Sequence, residues 1–268
     1  MANHLIKRAV LLGISLAISA VLTAAVSAQK NYSVPREVPL ERVVRRAFPT
    51  YFVPRQQFSR LETSGFFPIG WSRDGKFAYY EEPVDEACGC YFANLVIQDL
   101  RTDKVIWKFD YNQDGQTDAN GKMPPEDTIA KLWRKNVKLF SQKLRENGII
   151  ATNFAFLGKT FNSRARSYTA KAVTVMGKDD YDMERVMQLT VSLTSPKLGR
   201  KVLSTSEFKN ETYGGPLDVG VVGVFKSPYE NRVAVVTVHV QRGWEGPPHT
   251  TDINIVGADL VNGFGKGN

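Results

Sequence analysis

Two cysteines stand one residue apart, as Cys88-Gly89-Cys90, and the chain has no others. That spacing suits three chemistries. A disulfide would lock the turn before Tyr91. A strained small ring would raise the reduction potential and favour thiol exchange. Two thiolates could also hold a soft ion such as copper(I). Glu81, Glu82, Asp85 and Glu86 lie close in sequence, and their charge raises a thiol pKa rather than lowering it. An activated nucleophile is therefore not expected at Cys88 or Cys90.

A second constellation runs from Asp110 to Asp118. Oxygen-bearing side chains at Asp110, Asn112, Asp114, Gln116 and Asp118, with Gly115 at the sixth place, follow most of a calcium-loop pattern. The twelfth place, where a bidentate Glu belongs, is Gly121. The loop also follows a strand-like run rather than a helix. Ca²⁺ is the one cofactor this pattern suggests, against the plainer reading of a solvated Asp/Asn/Gly turn.

Nucleophilic catalysis has little to work with. Beyond His4, the histidines are His239, inside an alternating strand-like run, and His249, in the loop Gly246-Pro247-Pro248-His249. Trp244, Glu245 and His249 could together line a partner-binding face. No G-x-S-x-G, H-E-x-x-H or phosphate-cradling glycine pattern occurs.

These residues must be carried by something, and the carrier reads as mainly β. Apolar runs rich in Val, Ile and aromatics cover 77–82, 91–98, 105–109, 149–157, 168–176, 186–194, 201–208, 220–225, 233–240 and 251–260. One segment has a different period. Ile129, Leu132, Trp133, Val137, Phe140 and Leu144 fall on one helical face, with Asp127 as the expected N-cap and Asn147-Gly148 as the stop. The expected fold is a β-sandwich or partial propeller-like set of antiparallel sheets with one long amphipathic helix over about 127–147.

Two turns repeat. Ser72-Arg73-Asp74-Gly75-Lys76 precedes one β run and Ser227-Pro228-Tyr229-Glu230-Asn231 another, with Gly75 and Asn231 as the expected left-handed residues. This turn resembles the blade hairpin of the TolB-like and WD-repeat propeller families, which implies antiparallel blades. Only two copies occur, too few for a full propeller. The early S-x-D-G-x-x-A turn and the late Gly243-Trp244-Glu245-Gly246-Pro247 also resemble a group of predicted secreted bacterial proteins. That resemblance implies export and β architecture and carries no activity.

Residues 1–28 have the layout of a signal peptide: Lys7 and Arg8, an uncharged apolar run from Ala9 to Ala25, then small residues up to Ala28. Cleavage near Ala28 would leave a periplasmic or secreted chain. The expected organisation is a Pro/Arg-rich extended arm over 29–60, one domain over 61–261 and a flexible tail over 262–268.

The formal net charge of +8 is unevenly spread. Residues 73–127 carry 6 basic and 12 acidic groups, whereas 128–178 carry 11 basic and 1 acidic. Lys131, Arg134, Lys135 and Lys138 head the basic stretch. They could meet an anionic envelope surface, make peripheral membrane contact, or face the acidic half of the same chain. An exported chain without a binding motif is not expected to take nucleic acid. The role these features suggest is a non-enzymatic binding or structural module of the bacterial envelope, possessing a calcium-stabilised loop if Ca²⁺ binds. The alternative is a periplasmic redox or metal-handling protein built on Cys88 and Cys90.

Overall fold

The computed structural model describes residues 31–52, 60–84, 89–209, 215–244 and 246–265. The chain divides into Met1–Tyr32 and Ser33–Asn268, and every element below belongs to the second unit. The expected signal segment, residues 1–28, lies outside the described residues.

Strands dominate because the apolar runs are β-branched and aromatic, side chains that pack well on a pleated surface. Among the described residues, thirteen strands form three antiparallel sheets. The front sheet has the order β4-β3-β2-β1-β5, from β1 (Gly65–Trp71), β2 (Lys76–Glu82), β3 (Phe92–Asp99), β4 (Lys104–Asn112) and β5 (Ile150–Ala151). The middle sheet has the order β13-β12-β11-β6, from β6 (Phe156–Leu157), β11 (Asp218–Lys226), β12 (Arg232–Gln241) and β13 (Thr250–Asp259). The outer sheet has the order β10-β9-β8-β7, from β7 (Thr160–Ser163), β8 (Arg166–Lys178), β9 (Glu184–Ser195) and β10 (Gly199–Glu207).

The middle sheet is buried on both faces, which explains why β12 is apolar nearly throughout rather than alternating. Ala234, Val236, Val238 and Val240 join Phe66, Trp71, Phe77 and Tyr79 of the front sheet in one core. Val233 and Val235 join Tyr168, Ala170, Leu189, Val191 and Leu193 of the outer sheet in the other. A slip of register between Val221 and Gly223 lets β11 serve both cores, Val219 and Val221 on one side and Val222 and Phe225 on the other. Phe225 sits among four aromatic rings. Its ring centre lies 5.8 Å from Phe66, 5.9 Å from Phe77, 5.7 Å from Phe154 and 4.9 Å from Phe156.

Among the described residues, two α-helices complete the fold. The first, α1 (Glu41–Ala47), corrects the expected extended arm. Leu40, Val44 and Phe48, spaced four apart on one helical stripe, are buried in the front core, and that burial outweighs the helix-breaking effect of the flanking prolines. The second, α2 (Ile129–Glu146), covers the far face of the front sheet. Trp133 meets Tyr80 at 6.3 Å and Phe140 meets Phe109 at 4.9 Å between ring centres. Thr128, not Asp127, is its N-cap, with Oγ1 accepting from Lys131 N at 3.4 Å. Asn147-Gly148 ends it as expected: Gly148 has φ +67° and Ile149 N donates to Leu144 O at 2.9 Å.

The described part of the expected tail, residues 262–265, packs on the outer sheet, and 266–268 lie outside the described residues. Arg200 and Gly265 exchange two backbone hydrogen bonds, and Phe264 lies 6.2 Å from Tyr168. The run 149–157 divides into β5 and β6 on two different sheets.

Candidate functional site

Several residues singled out by their chemistry meet at one end of the front sheet. Cys90 is disulfide-bonded, and Cys88, the one other cysteine of the sequence, lies outside the described residues. Next to it, Tyr91 N donates to Gln113 Oε1 at 2.9 Å, and Gln113 N donates back to Tyr91 O at 3.1 Å. Gln113 Nε2 then donates to Pro124 O at 2.8 Å. A single buried amide thus ties the Cys90-Tyr91 segment before β3, the 110–118 loop and the lead-in to α2 together. Its position between the two expected ligands Asn112 and Asp114 gave no hint of this role.

The Tyr91 side chain continues the network inward. Its hydroxyl donates to Glu82 Oε1 at 2.5 Å and lies 2.6 Å from the Tyr80 hydroxyl. Burial pushes the Glu82 carboxyl above the usual carboxylate range, opposed by the Tyr91 bond. Burial drives the Tyr80 and Tyr91 hydroxyls far above theirs, so both stay protonated near neutral pH. The arrangement is a closed hydrogen-bond chain that holds its protons in place, with no activated nucleophile in it.

The loop residues do not converge. Asp110 pairs with Lys108 at 2.5 Å, and Asn112 Oδ1 accepts from Gly115 N at 3.0 Å. Asp114 opens a short 3-10 turn over Asp114–Gln116, and Gln116 Nε2 donates to Asn112 O at 3.3 Å. Asp118 Oδ1 accepts from the backbone of Asn120 and Lys122, both at 2.9 Å. The side chains spend their oxygens on the loop's own backbone, as Asx turns do. Asp110 and Asn112 also sit on β4, which holds them extended. Among the described residues, no group of three or more His, Cys, Asp and Glu is placed to hold a metal ion.

The basic helix is partly neutralised by its own lead-in. Lys131 pairs with Asp127 at 2.7 Å and Lys135 with Glu126 at 2.9 Å. The acidic stretch therefore meets the basic one at this point. Arg134 and Lys138 are exposed and form no ion pair among the described residues.

The loop after β12 is separate from both. Trp244 is 75% exposed, and Glu245 lies outside the described residues. His249 is tied to the segment before β1: its N donates to Arg60 O at 2.6 Å and its carbonyl accepts from Glu62 N at 2.7 Å. Its Nδ1 accepts from Gly243 N at 3.2 Å, and its ring meets Tyr51 edge-on at 5.8 Å. These contacts give His249 a positioning role for the loop.

A site that sequence reasoning missed lies where the outer and middle sheets meet. The turn between β7 and β8 places Arg164 and Ala165 both in the left-handed region, at φ 47° and 57°. Arg164, Lys226 and Ser227 to Asn231 line a hollow of about 300 Å³. Arg166, Lys197 and neighbours line a second of about 410 Å³ that shares the same turn. Among the described residues, none of Arg164, Arg166, Lys197 and Lys226 forms an ion pair. The sequence signal was the excess of basic residues in 128–178, and it did not reveal that Lys226 joins Arg164 in one hollow and Lys197 joins Arg166 in the other.

One buried ion pair stands apart from these surfaces. Arg185 and Asp179 are each 2% exposed at the side chain and meet at 3.1 Å. Burial works to raise the Asp179 carboxyl, but bonds from Met183 N, Arg185 and Tyr181 N hold it below the usual range. Arg185 Nη1 and Nη2 have no hydrogen-bond partner among the described residues.

No helix among the described residues is long and apolar enough to cross a membrane. No family model, no curated protein and no solved structure matches this chain.

Proposed function

We propose that this chain is an exported protein of the bacterial envelope that works as a non-enzymatic binding module for an anionic envelope surface. The observation that carries the reading is the two hollows at the β7–β8 turn, one lined by Arg164 and Lys226 and the other by Arg166 and Lys197, cations that form no ion pair among the described residues, while Glu230 of the first hollow is held by Arg101 and Arg232. Cations left unpaired on a protein surface set up a positive potential that attracts anionic groups. Arg164 supplies a planar fork suited to phosphate or carboxylate, and Lys226 a compact charge beside it. Export rests on the layout of residues 1–28.

The test is co-sedimentation of the purified chain with vesicles of phosphatidylglycerol and phosphatidylcholine, against phosphatidylcholine alone. Binding should require the anionic lipid and weaken as salt rises. Arg164→Glu with Lys226→Glu should cut affinity about tenfold or more, since each cation near an anionic surface is worth about 1 kcal/mol. Equal binding by the double variant would overturn the reading. Export is checked separately by N-terminal sequencing of the cell-envelope fraction, which should begin close to Gln29.

A further inference from the structure

The outer sheet ends in a strand that is only half paired. β8 has thirteen residues, yet β7 covers it only from Arg166 to Thr169. Ala170 N donates to Lys159 O, so residues of that parity point toward the open edge. Ala172, Thr174, Met176 and Lys178 share the parity, and the register slip between Val175 and Met176 falls on β9, leaving β8 regular. Among the described residues, no strand lies beyond this edge. Val173, Val175 and Met176 are 51%, 53% and 47% exposed. A long open edge with exposed apolar side chains is a template for another strand.

We infer that β8 pairs antiparallel with β8 of a second copy, centred on Val175. That register uses the whole open segment and stops where β7 begins. It sets Val175 against Val175 of the second copy, Thr174 against Met176, Val173 against Gly177 and Ala172 against Lys178. The two lysines bordering the segment, Lys171 and Lys178, never face each other, so the pairing meets no like-charge repulsion. The Gly177 position is not a gap: Met187 Cγ lies 2.4 Å from where its Cβ would be, so Val173 of one copy meets the Met187 thioether of the other. The seam is therefore self-complementary in shape and charge, and the two outer sheets become one continuous eight-stranded sheet. An edge seam of seven residues is a small interface, which sets the association in the weak, concentration-dependent class.

Sedimentation velocity of the purified chain over a wide concentration range tests this. A monomer passing to a dimer is expected. Val175→Lys should keep the chain monomeric while its far-ultraviolet circular dichroism and melting temperature stay those of the parent. Val175→Cys should form a covalent dimer under a glutathione redox buffer, because directly opposed residues of a non-hydrogen-bonded pair approach to about 4.5 Å between Cα atoms. Thr174→Pro removes an edge-facing N–H that pairs with no strand among the described residues, and it should also abolish the dimer. A chain monomeric throughout, or a dimer that survives Val175→Lys and gives no covalent product with Val175→Cys, overturns the inference. Vesicle binding uses a different turn, so either proposal can fail without the other.

Discussion

Glu230 packs against Gly75: its Oε1 lies 2.6 Å from the place a Cβ on Gly75 would occupy. Each residue belongs to one of the two matching turns, so the repeated motif is a pair of loops that clasp each other. Arg101 and Arg232 hold the same carboxylate at 3.1 and 3.0 Å, and Arg73 lies over the Tyr229 ring at 5.5 Å. Arg232 Nη1 also donates to Leu100 O at 2.7 Å. The clasp joins the front and middle sheets at their shared end.

Gly75→Ala should therefore destabilise the fold on two counts. Its φ of +91° suits glycine alone, and the added methyl meets Glu230 Oε1 and, at 3.0 Å, Arg101 Nε. A loss of about 1–3 kcal/mol is expected, measured by urea unfolding with an unchanged slope. Ala165→Gly should do the opposite, because Ala165 holds φ 57°, a left-handed conformation that costs an L side chain and not glycine. A gain of about 0.5–1 kcal/mol is expected there.

Tyr91→Phe isolates the inner network. The change leaves Glu82 half-buried without its hydroxyl donor, so a carboxyl already raised by burial rises further. A carboxyl raised in the folded state stabilises that state below the unfolded pKa, about 4.3, and loses the contribution as pH climbs through the folded value. The variant should therefore approach the parent's stability in mild acid and fall behind toward neutral pH. Thermal melts at several pH values check this. Tyr91→Phe with Glu82→Gln should recover much of the loss at neutral pH, since no buried charge remains.

Much of this fold was legible. Nine of the ten apolar runs lie on strands to within a residue, because Val, Ile and aromatics in short blocks have few other uses, whereas 149–157 supplies only two strands of two residues each. The partition into sheets was not legible, since it depends on which strands meet, as the split of Ile149 to Leu157 between β5 and β6 makes plain. Proline weighed too heavily at the start of the chain: Leu40, Val44 and Phe48 had helical spacing. The site fared worse. Gln113 acts through a three-way bond, and Lys226 joins Arg164 only by tertiary contact, so neither has a local pattern to find.

The Arg185–Asp179 pair predicts an asymmetry. Asp179 has two backbone donors besides the guanidinium, whereas Arg185 has this one acceptor and two unpartnered terminal nitrogens. Asp179→Asn removes the charge that compensates a buried cation, and breaking a buried pair from that side is the costly direction. Arg185→Met leaves a carboxylate still bonded to Tyr181 N and Met183 N. The melting temperature should fall clearly further for Asp179→Asn than for Arg185→Met, and equal falls would mean that the backbone donors contribute little.

His239 supplies the remaining pH dependence. It sits on β12 opposite Asp252 of β13, with Thr237 Oγ1 and Asn254 Nδ2 each 3.5 Å from Nε2. Burial lowers its pKa below the ordinary 6.5, and the Asp252 charge opposes the shift without cancelling it. A base whose folded pKa is depressed favours the folded state above its unfolded pKa and loses that advantage as pH falls through 6.5 and below. Stability should therefore decline from pH 7 toward pH 5 by a component that belongs to this ring. His239→Gln, which keeps polar atoms near Thr237 and Asn254 without a titrating group, should flatten that part of the profile. Urea titrations of parent and variant at matched pH give the comparison, and parallel slopes in the two proteins would assign the decline to other groups.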